Sequence, residues 1–521
     1  MKNPVRRAAA ALIGLALLIP PGTAAQDRME LSLDQCLVGA LKYNLRIAAE
    51  LLSPEIADLN VVRAGEKFLP SMSFSWDTQD TNTASYSFID ASDQVSTSIQ
   101  DYGFTLNQSI PTGGYLSASL TSYKNENNRN FQTINPRYGS TLRFNFTQPL
   151  LKNFGLKISR REIIVARNNR AVSENQFLSA LADIIYDVEE AYWNLAYSIE
   201  YLKVREQSLK LARDLLEESR RKVEVGTMAP IDLFTAEAEV ATREADILQT
   251  QVMVKNSEDR LKSILNMPEL EERGLTEIIP SDTPPFEERV LDYDEALAVA
   301  LEKRPDIQAT RVNMQTRRLD VKYAGNQLLP ELNLSASYWS PGISGDRILY
   351  LDGNAFSGVV VGTVPGSPAN ALKDAVNFKY NNWNVALTLS LPLSSALTRA
   401  DHRLAKARLK QAMYRLEDQE REVVIEIKTA LRAVETGYKR ILAYRSAREL
   451  AEKKLEAESE KLKVGKSTSY LILQYQRDLA DARTTELRAM VDYTLSLANL
   501  DRVMGTTMEA KNISIADIGS E

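Results

Sequence analysis

The sequence predicts an α+β membrane protein that combines very long helices with membrane-spanning strands. Apolar residues recur every seven positions over most of 157–266 and 399–504, which is typical of coiled-coil helices. Apolar and polar residues alternate within 70–150 and 330–393, which indicates strands with one apolar face. The same order of segments occurs twice, so the chain is predicted to be an internal two-fold repeat.

The first helical hairpin is predicted around one break between two long apolar patterns. The segment Val225-Gly226-Thr227 supplies a glycine that tolerates the left-handed conformation at a helix end. Pro230 suits the first turn of the next helix, where no backbone hydrogen bond is lost. A short turn between two such helices predicts an antiparallel hairpin. The sevenfold ladder is formed by Leu181, Val188, Leu195, Leu202, Leu209, Leu216 and Val223 before the turn, and by Leu233, Val240, Ile247, Val254 and Leu261 after it.

A second hairpin is predicted 239 residues further along, because Val464-Gly465-Lys466 matches Val225-Gly226-Thr227. The ladder continues at the same offset without an insertion, which is a strong signal of an internal repeat. Only Arg448 and Glu486 interrupt it. Its apolar positions are Ile427, Val434, Ile441, Leu455, Leu462, Ile472, Leu479, Tyr493 and Leu500.

The predicted helix lengths indicate a rod. Lys157–Val225 has 69 residues, which corresponds to roughly 100 Å. The return helix Pro230–Asn266 (37 residues) and the preceding helix Asp34–Lys67 (34 residues) together match that length, so they are expected to lie end to end along it. We expect a kink at Pro54. The alternative is that the long helices bend or break into a compact bundle. The second half predicts the same arrangement for Asp294–Leu328, Arg399–Val464 and Ser469–Met504.

The alternating segments predict transmembrane barrel strands, because period two with an apolar outer face is their sequence signature. The alternative is a half-buried strand in a soluble sandwich. The apolar members are Met72, Phe74, Trp76, Leu142, Phe144 and Phe146 in the first half, and Leu332, Leu334, Ala336, Tyr338, Val385, Leu387, Leu389 and Leu391 in the second.

The N-terminus predicts a secretory signal peptide. Three basic residues precede an apolar run at 8–19, and small residues allow cleavage after Ala25. An uncleaved anchor helix is the alternative. Removal of the signal leaves a net charge of −9 (60 basic and 69 acidic residues), which argues against a nucleic-acid partner. Cys36 stands alone, so no intrachain disulfide is possible, and membrane contact is expected through strands because no later apolar run reaches helix-spanning length.

The residues predict no enzyme activity, no metal site and no cofactor. His402 is the only histidine, which rules out a His-rich metal site. It lies among basic residues at the start of a helix, so no Ser-His-Asp set can be argued without a better-placed base. Tyr192, Trp193 and Tyr197 are interpreted as helix-seam packing. If the alternating segments are not membrane strands, two other functions fit the residues. One is a periplasmic coiled-coil adaptor or scaffold without its own pore, and the other is a soluble secreted enzyme.

The predicted segments follow the chain in order. They are a signal peptide at 1–25, a short helix at 26–69, strands and loops at 70–150, a helical hairpin at 151–266, a linker at 267–290, a second short helix at 291–329, strands and a loop at 330–393, a second hairpin at 394–504 and a loosely held tail at 505–521.

In this order, the sequence resembles the TolC family of outer-membrane export channels. The resemblance implies a homotrimer whose strands form one barrel in the outer membrane, continuous with a periplasmic coiled-coil tunnel. It also implies an adaptor protein and an inner-membrane transporter as partners, in an efflux or type I secretion system. Drugs, metal ions, siderophores and secreted proteins are alternative cargoes. The motifs that carry the resemblance are Leu31–Leu41, Leu291–Leu301, Leu69-Pro70, Leu329-Pro330, Gln148-Pro149-Leu150, Leu391-Pro392-Leu393 and the two Val-Gly turns.

The first half departs from the family pattern because it has room for four strands instead of two. The segments 104–107 and 116–120 alternate, and Pro111-Thr112-Gly113-Gly114 suits a tight turn between them. Six strands per chain would give an 18-stranded trimer in place of 12 strands. Alternatively, the added hairpin packs beside the barrel.

The turns are predicted to form the closed tip and to contact the adaptor. The contact residues implied are Val225, Gly226, Thr227, Val464, Gly465 and Lys466. Asp232 retains a family gate position, whereas Leu471 and Gln474 replace the aspartates of the second turn. The predicted gate therefore comprises Asp232, Lys466, Leu471 and Gln474, with Lys461 and Lys463 as further cations that could reach Asp232.

Overall fold

The computed structural model describes residues 28–86, 90, 93–271 and 276–513. Ala25 and the predicted signal peptide lie outside the described residues. The helices are α1 (Leu33–Tyr43), α2 (Leu45–Gly65), α3 (Leu156–Ser159), α4 (Arg161–Glu224), α5 (Pro230–Leu265), α6 (Pro268–Glu271), α7 (Tyr293–Lys303), α8 (Pro305–Asn326), α9 (Pro368–Val376), α10 (Ala396–Lys463), α11 (Ser469–Met504) and α12 (Thr507–Ala510). The strands are β1 (Arg28–Leu31), β2 (Ser71–Ala84), β3 (Gln94–Ser109), β4 (Tyr115–Asn127), β5 (Ile134–Pro149), β6 (Glu277–Pro280), β7 (Glu331–Tyr350), β8 (Val360–Val364) and β9 (Asn382–Ser390).

The two long helices are continuous, as the sevenfold spacing predicts. Helix α4 has 64 residues and α10 has 68, which corresponds to about 95–100 Å each. The return helices α5 and α11 have 36 residues each and begin at Pro230 and Ser469, as predicted. The compact-bundle alternative is therefore wrong. Within the described ranges, no helix combines the length and apolarity needed to cross a membrane.

The short helices differ from the prediction because each is two helices. Asn44 ends α1, and its side chain accepts hydrogen bonds from the backbone N–H groups of Arg46 and Ile47 to begin α2. The helix continues through Pro54, so the break lies at Asn44 and not at the proline. In the second half, Arg304 separates α7 from α8. An asparagine can satisfy the free N–H groups of a new helix, which outweighs the periodic pattern here.

The return helix α5 ends at the break between α1 and α2, and not at the start of α1 as the predicted lengths required. The side-chain amide of Asn44 donates to the carbonyl oxygen of Ile264 (2.7 Å), and that of Asn266 donates to the carbonyl oxygen of Tyr43 (3.1 Å). Asn266 itself has φ 49°, so it also ends α5 in the left-handed conformation. These reciprocal bonds join α5 to the break between α1 and α2.

The sevenfold ladder forms the buried seam of both hairpins. Leu181, Val188 and Leu195 are at most 1 % exposed, and Ile427 and Ile441 are fully buried. The interruptions at Arg448 and Glu486 contact each other, with Arg448 Nε 2.6 Å from Glu486 Oε2. Each break in the apolar pattern therefore supplies the partner that the other needs.

Six long strands form one sheet with a continuous apolar face. The order is β2-β3-β4-β5-β7. Beyond β7, β9 pairs with the half of β7 that is nearest to α8, and the short β8 pairs with the other end of β7. The registers Phe74↔Phe104, Leu120↔Leu142 and Tyr338↔Trp383 keep apolar residues on one side across all six strands. The added hairpin β3–β4 is an integral part of the sheet, so packing beside it is wrong.

Three features were not predicted. Strand β8 and helix α9 follow β7, and Ala371 and Ala375 of α9 pack with full burial against the sheet at Gly342. Strands β1 and β6 pair in parallel, so the predicted linker contributes a strand. The tail is packed up to its last described residue: Lys511 Nζ lies 3.0 Å from Glu189 Oε2, and Met508 and Ile513 contact the α4 core. The prediction of a loose tail is therefore wrong for residues 505–513.

Candidate functional site

Both hairpin turns end their first helix with the same backbone motif. In the first turn, the N–H of Thr227 donates to the carbonyl oxygen of Lys222 (2.8 Å) and that of Gly226 to Val223 (3.0 Å). The second turn repeats these bonds from Lys466 to Lys461 and from Gly465 to Leu462 (2.8 and 3.1 Å). This pair of bonds is the Schellman motif, which requires a left-handed residue. Gly226 and Gly465 accordingly have φ values of 76° and 70°.

The turns project into open space. A side chain added at Gly226 or Gly465 would meet no atom within 4 Å. All six predicted contact residues are exposed, and the two valines Val225 and Val464 are 73 % and 68 % exposed. Both turns are therefore accessible in this chain.

Three exposed apolar residues beside the turns were missed by the sequence analysis. Ile231, Phe234 and Tyr470 are 68 %, 62 % and 61 % exposed. They lie near the start of α5 or α11 and outside the sevenfold ladder. An apolar residue outside the ladder could have indicated an exposed apolar side chain. With the two valines, they form an apolar surface at the tip. Exposed apolar residues in one region are unfavourable in water and are typical of an interaction site.

The two turns lie at the same end of the molecule. Ala236 and Val240 of α5 share a buried cluster with Ile472 and Leu473 of α11, about one to three helical turns from the starts of these helices. Arg243 links the helices further: its guanidinium donates to the carbonyl oxygens of Ser208 (2.6 Å) and Leu473 (3.1 Å). This arginine is 5 % exposed and also pairs with Glu239 (2.8 Å).

The predicted gate residues lie close to the two turns: Asp232 and Leu471 are in the first turn of α5 and α11, Gln474 is in the second turn of α11, and Lys466 is in the hairpin turn. Asp232 and Leu471 are half-buried and Gln474 is exposed. Lys461 and Lys463 do not reach Asp232 in this chain, because they pair with Glu458 (2.9 Å) and Glu460 (2.6 Å) on their own helix. Lys466 is exposed at the turn. The structure thus brings the predicted residues to one end but gives two of the lysines other partners.

A buried carboxylate organises the second turn. Glu458 accepts a hydrogen bond from the hydroxyl of Ser467 (2.6 Å) and another from Lys461 (2.9 Å). These bonds hold the pKa of Glu458 below its ordinary value. The sequence did not predict this contact, although Ser467 is four residues past the end of α10, where its hydroxyl can reach back to the helix.

The buried aromatic residues and the cysteine away from the tip are part of the packed core. Tyr192 and Trp193 are buried in the α4 core, as predicted, and the Tyr192 hydroxyl donates to Asp282 Oδ2 (2.8 Å). Burial raises the pKa of the Cys36 thiol to about 12, which keeps it protonated and unreactive. Within the described ranges, no group of three or more histidine, cysteine or acidic residues is arranged to hold a metal ion.

The chain matches one protein-family model over most of its length. The family is described as "Outer membrane efflux protein", and it matches residues 115–267 and 296–506. The matched ranges include strands β4, β5, β7 and β9, both long helices and both turns.

Individual relatives share the fold at low sequence identity. The chain is 24 % identical over 369 residues to the outer membrane protein TolC of Vibrio cholerae, covering 70 % of this chain and 76 % of the relative. It is 21 % identical over 381 residues to the alkaline protease secretion protein AprF of Pseudomonas aeruginosa, covering 72 % and 70 %. The crystal structure of the Campylobacter jejuni CmeC outer membrane channel superposes with a TM-score of 0.63 at 15 % identity, covering 93 % and 90 %.

Proposed function

Because the chain belongs to the outer membrane efflux protein family, we propose that three copies of it assemble into one conduit that crosses the outer membrane and the periplasm. This family consists of transport channels and is not an enzyme family, so the protein is an outer-membrane channel for efflux or secretion. The observation that carries the trimer is the sheet itself. One copy leaves the outer edges of β2 and β9 without a partner strand among the described residues, and pairing of these edges between copies would close a barrel.

The shared barrel in this proposal has 18 strands. The hairpin β3–β4 is hydrogen-bonded on both sides, so each copy contributes six long strands. Strand β2 of one copy would pair with β9 of the next copy, which covers every sheet edge. Met72, Phe74 and Leu387 at these edges are 64–71 % exposed and lie on the apolar face, which would contact lipid. The helices below would continue the barrel as the tunnel, and the two halves of each chain would act as a two-fold repeat.

The assembly is tested in a Cys36→Ala background. We expect Ser73→Cys on β2 and Thr388→Cys on β9 to form disulfides between copies and to give a covalent trimer on a gel. The matched control is Ser73→Cys with Ser119→Cys, since β4 is an inner strand and cannot meet β2 of another copy. Crosslinking that is equal in both pairs, or absent from the edge pair and from its neighbouring registers, would refute this closure.

Channel activity is tested directly with the purified chain in planar lipid bilayers. We expect discrete conductance steps together with a heat-dependent shift in gel mobility, which is typical of a folded outer-membrane barrel. The adaptor alternative predicts neither, because a coiled-coil scaffold has no pore. A soluble monomer after fractionation would contradict the proposed location.

The tip docks a periplasmic adaptor protein that leads to an inner-membrane transporter. Support comes from the apolar surface formed by Val225, Ile231, Phe234, Val464 and Tyr470, which lies at the free end of the helices. We expect cysteines at Thr227 and Lys466 to crosslink to an adaptor that is co-expressed with the channel. A cysteine at Asn128, in a loop at the far end of the sheet, is the control and should not crosslink.

Closure of the tip rests on Asp232, Lys466, Leu471 and Gln474. Since Lys461 and Lys463 have partners on their own helix, the cation available to Asp232 in this proposal is Lys466 of a neighbouring copy. Three exposed pairs would contribute about 0.6–3 kcal/mol in total. We expect Asp232→Ala to raise the open probability in bilayers at low salt, and Leu471→Ser to raise it further. High salt should reproduce only the first effect. Unchanged conductance in Asp232→Ala would leave packing as the closing force.

A further inference from the structure

A strongly basic region lies where the helices leave the sheet. The ranges 63–70, 150–170, 317–331 and 391–410 contain 16 lysines and arginines against 5 acidic residues, whereas the mature chain carries a net charge of −9. These ranges are distant in sequence but adjacent in the fold, because they flank β2, β5, β7 and β9. The net charge of the remaining residues is therefore strongly negative.

Six of these residues form what we term the basic stripe: Arg160, Arg167, Lys322, Arg399, Arg403 and Lys406. All six are exposed. None of them takes part in an ion pair within the described residues, whereas the neighbouring Arg161 and Arg317 both pair with Asp320 (2.6 and 3.2 Å). The stripe is therefore a concentration of charge that the chain itself does not neutralise.

The handedness of the sheet determines which side the stripe occupies. The N–H of Leu150 donates to the carbonyl oxygen of Leu332 (2.7 Å), and both side chains continue the apolar-face alternation. For L-residues, the direction of the side chain fixes the direction of the N–H and C=O groups. With the apolar face toward the viewer and the helices below, β7 consequently lies to the left of β5, and β9 lies further left.

The helices follow the same order, so α10 lies to the left of α8. Near the sheet, α10 turns the side that carries His402 toward α8, where His402 lies against Gly325. Seen from the sheet along its axis, a right-handed helix that runs away from the sheet turns clockwise. The side of α10 that lies clockwise from the His402 side therefore faces the viewer. Arg399, Arg403 and Lys406 occupy that side, at spacings of four and three residues.

The same construction applies to α4. Arg161 pairs with Asp320 of α8 on the viewer's left, and Arg170 pairs with Asp58 of α2 on the right (2.6 and 2.8 Å). Arg160 and Arg167 lie between these directions and face the viewer. The five residues of the basic stripe on α10 and at the start of α4 therefore lie on the same side of the molecule as the apolar face of the sheet.

The depth of the stripe matches the boundary of a bilayer. Arg399 lies about 5 Å and Lys406 about 15 Å along α10 from its first residue, and Arg167 lies about 9 Å along α4. A headgroup region is about 5–7 Å thick on each side, and long basic side chains reach several ångströms toward it. Exposed apolar residues precede the stripe: Phe154, Leu156, Leu391 and Leu393 are 46 %, 54 %, 63 % and 108 % exposed.

We propose that the basic stripe binds the anionic headgroups of phospholipids in the periplasmic leaflet of the outer membrane. The inference rests on the proposed function only in requiring that the apolar face of the sheet contacts lipid. Unpaired basic residues directly beside an apolar band attract anionic lipid, and the attraction is additive over several charges. The bound lipid would fix the height of the channel in the membrane.

The test uses the full mature chain in detergent, analysed by native mass spectrometry with phosphatidylglycerol or phosphatidylethanolamine. We expect R399Q/R403Q/K406Q to lower retention of phosphatidylglycerol about tenfold and to leave phosphatidylethanolamine unchanged. The matched control, R440Q/K453Q/K454Q, removes three exposed charges from the same helix far from the sheet and should bind as wild type. Equal retention in both variants would overturn the proposal.

Conductance separates this proposal from the channel function. A stripe that faced the pore would shift the ion selectivity of R399Q/R403Q/K406Q while lipid retention stayed at the wild-type level, and this result would also overturn the proposal. Wild-type protein that retains phosphatidylglycerol but never conducts would contradict the channel and leave the lipid site intact.

Discussion

The two helical hairpins share their turn geometry but differ in how their seams are made. In the first hairpin every ladder position is apolar, and Leu181, Val188 and Leu195 are at most 1 % exposed. In the second, Arg448 and Glu486 occupy two ladder positions and lie 2.6 Å apart, with Arg445 Nε 3.2 Å from the same carboxylate. A seam position therefore requires complementarity with the position opposite and not an apolar residue as such.

The tips differ in the same way. Pro230 begins α5 after the first turn, and Ala229 provides no side-chain cap. After the second turn, the Thr468 hydroxyl caps α11 and Glu458 binds Ser467 and Lys461. The second tip therefore has polar bonds that the first tip lacks, so the two tips should respond differently to mutation and pH.

The largest effect is expected from a charge placed in the apolar seam. Leu209→Asp buries a carboxylate at a position that is 7 % exposed and should reduce the free energy of unfolding by about 4 kcal/mol. Urea denaturation followed by helical circular dichroism measures the loss. Leu211→Asp is the control, since Leu211 is 37 % exposed. Equal losses in the two variants would contradict the seam assignment.

A smaller effect is expected from breaking the ion pair of the second seam. Glu486→Leu leaves two arginines beside an apolar side chain and should cost about 1–3 kcal/mol. The double variant R448L/E486L restores an apolar ladder and should recover most of that loss. A double-mutant cycle by urea denaturation measures the coupling. Additive losses would show that the two residues act independently.

The glycine turns should respond alike, because their backbones are alike. Gly226→Ala and Gly465→Ala each place a Cβ on a left-handed residue, at a cost of about 1–2 kcal/mol. Gly65→Ala is the control, because that glycine ends α2 with open space around it and no positive φ. Thermal melts should show two lowered melting temperatures and an unchanged or raised third. A difference between the two turns would indicate that crowding, and not conformation, requires glycine at one of them.

The smallest effect is a dependence on pH that is confined to the second turn. The pKa of Glu458 is lowered in the folded protein by its bonds to Ser467 and Lys461. A lowered folded pKa contributes stability above the unfolded pKa, and this contribution is lost as the pH falls through the folded value. Hydrogen exchange of the amides at 465–471 should therefore accelerate from pH 6 to below roughly pH 4, after correction for intrinsic rates. The amides at 226–232 and the variant Glu458→Gln should lack this acceleration.

Much of the fold could be predicted because its signals are local. Sevenfold spacing, two glycines and Pro230 predicted both hairpin turns and the first residues of the return helices, whereas the long helices begin at Arg161 and Ala396 instead of the predicted Lys157 and Arg399. Alternation predicted the strands, including the added hairpin. The helix breaks at Asn44 and Arg304 could not be predicted from periodicity, because each break depends on a bond to the end of a return helix. The Asn44 amide binds Ile264 O at 2.7 Å, and Arg304 contacts Val503 O at 3.4 Å.

The sequence by itself determined the periodic elements, since helix and strand periods are properties of neighbouring residues along one chain. Only the tertiary structure decided which polar residues are partners, because Arg448 and Glu486, or Arg243 and Leu473, meet through packing between distant segments. It also decided that the hairpin β3–β4 lies within the sheet. Hydrogen-bond register and helix order are set by contacts between segments, and a local pattern carries no record of them.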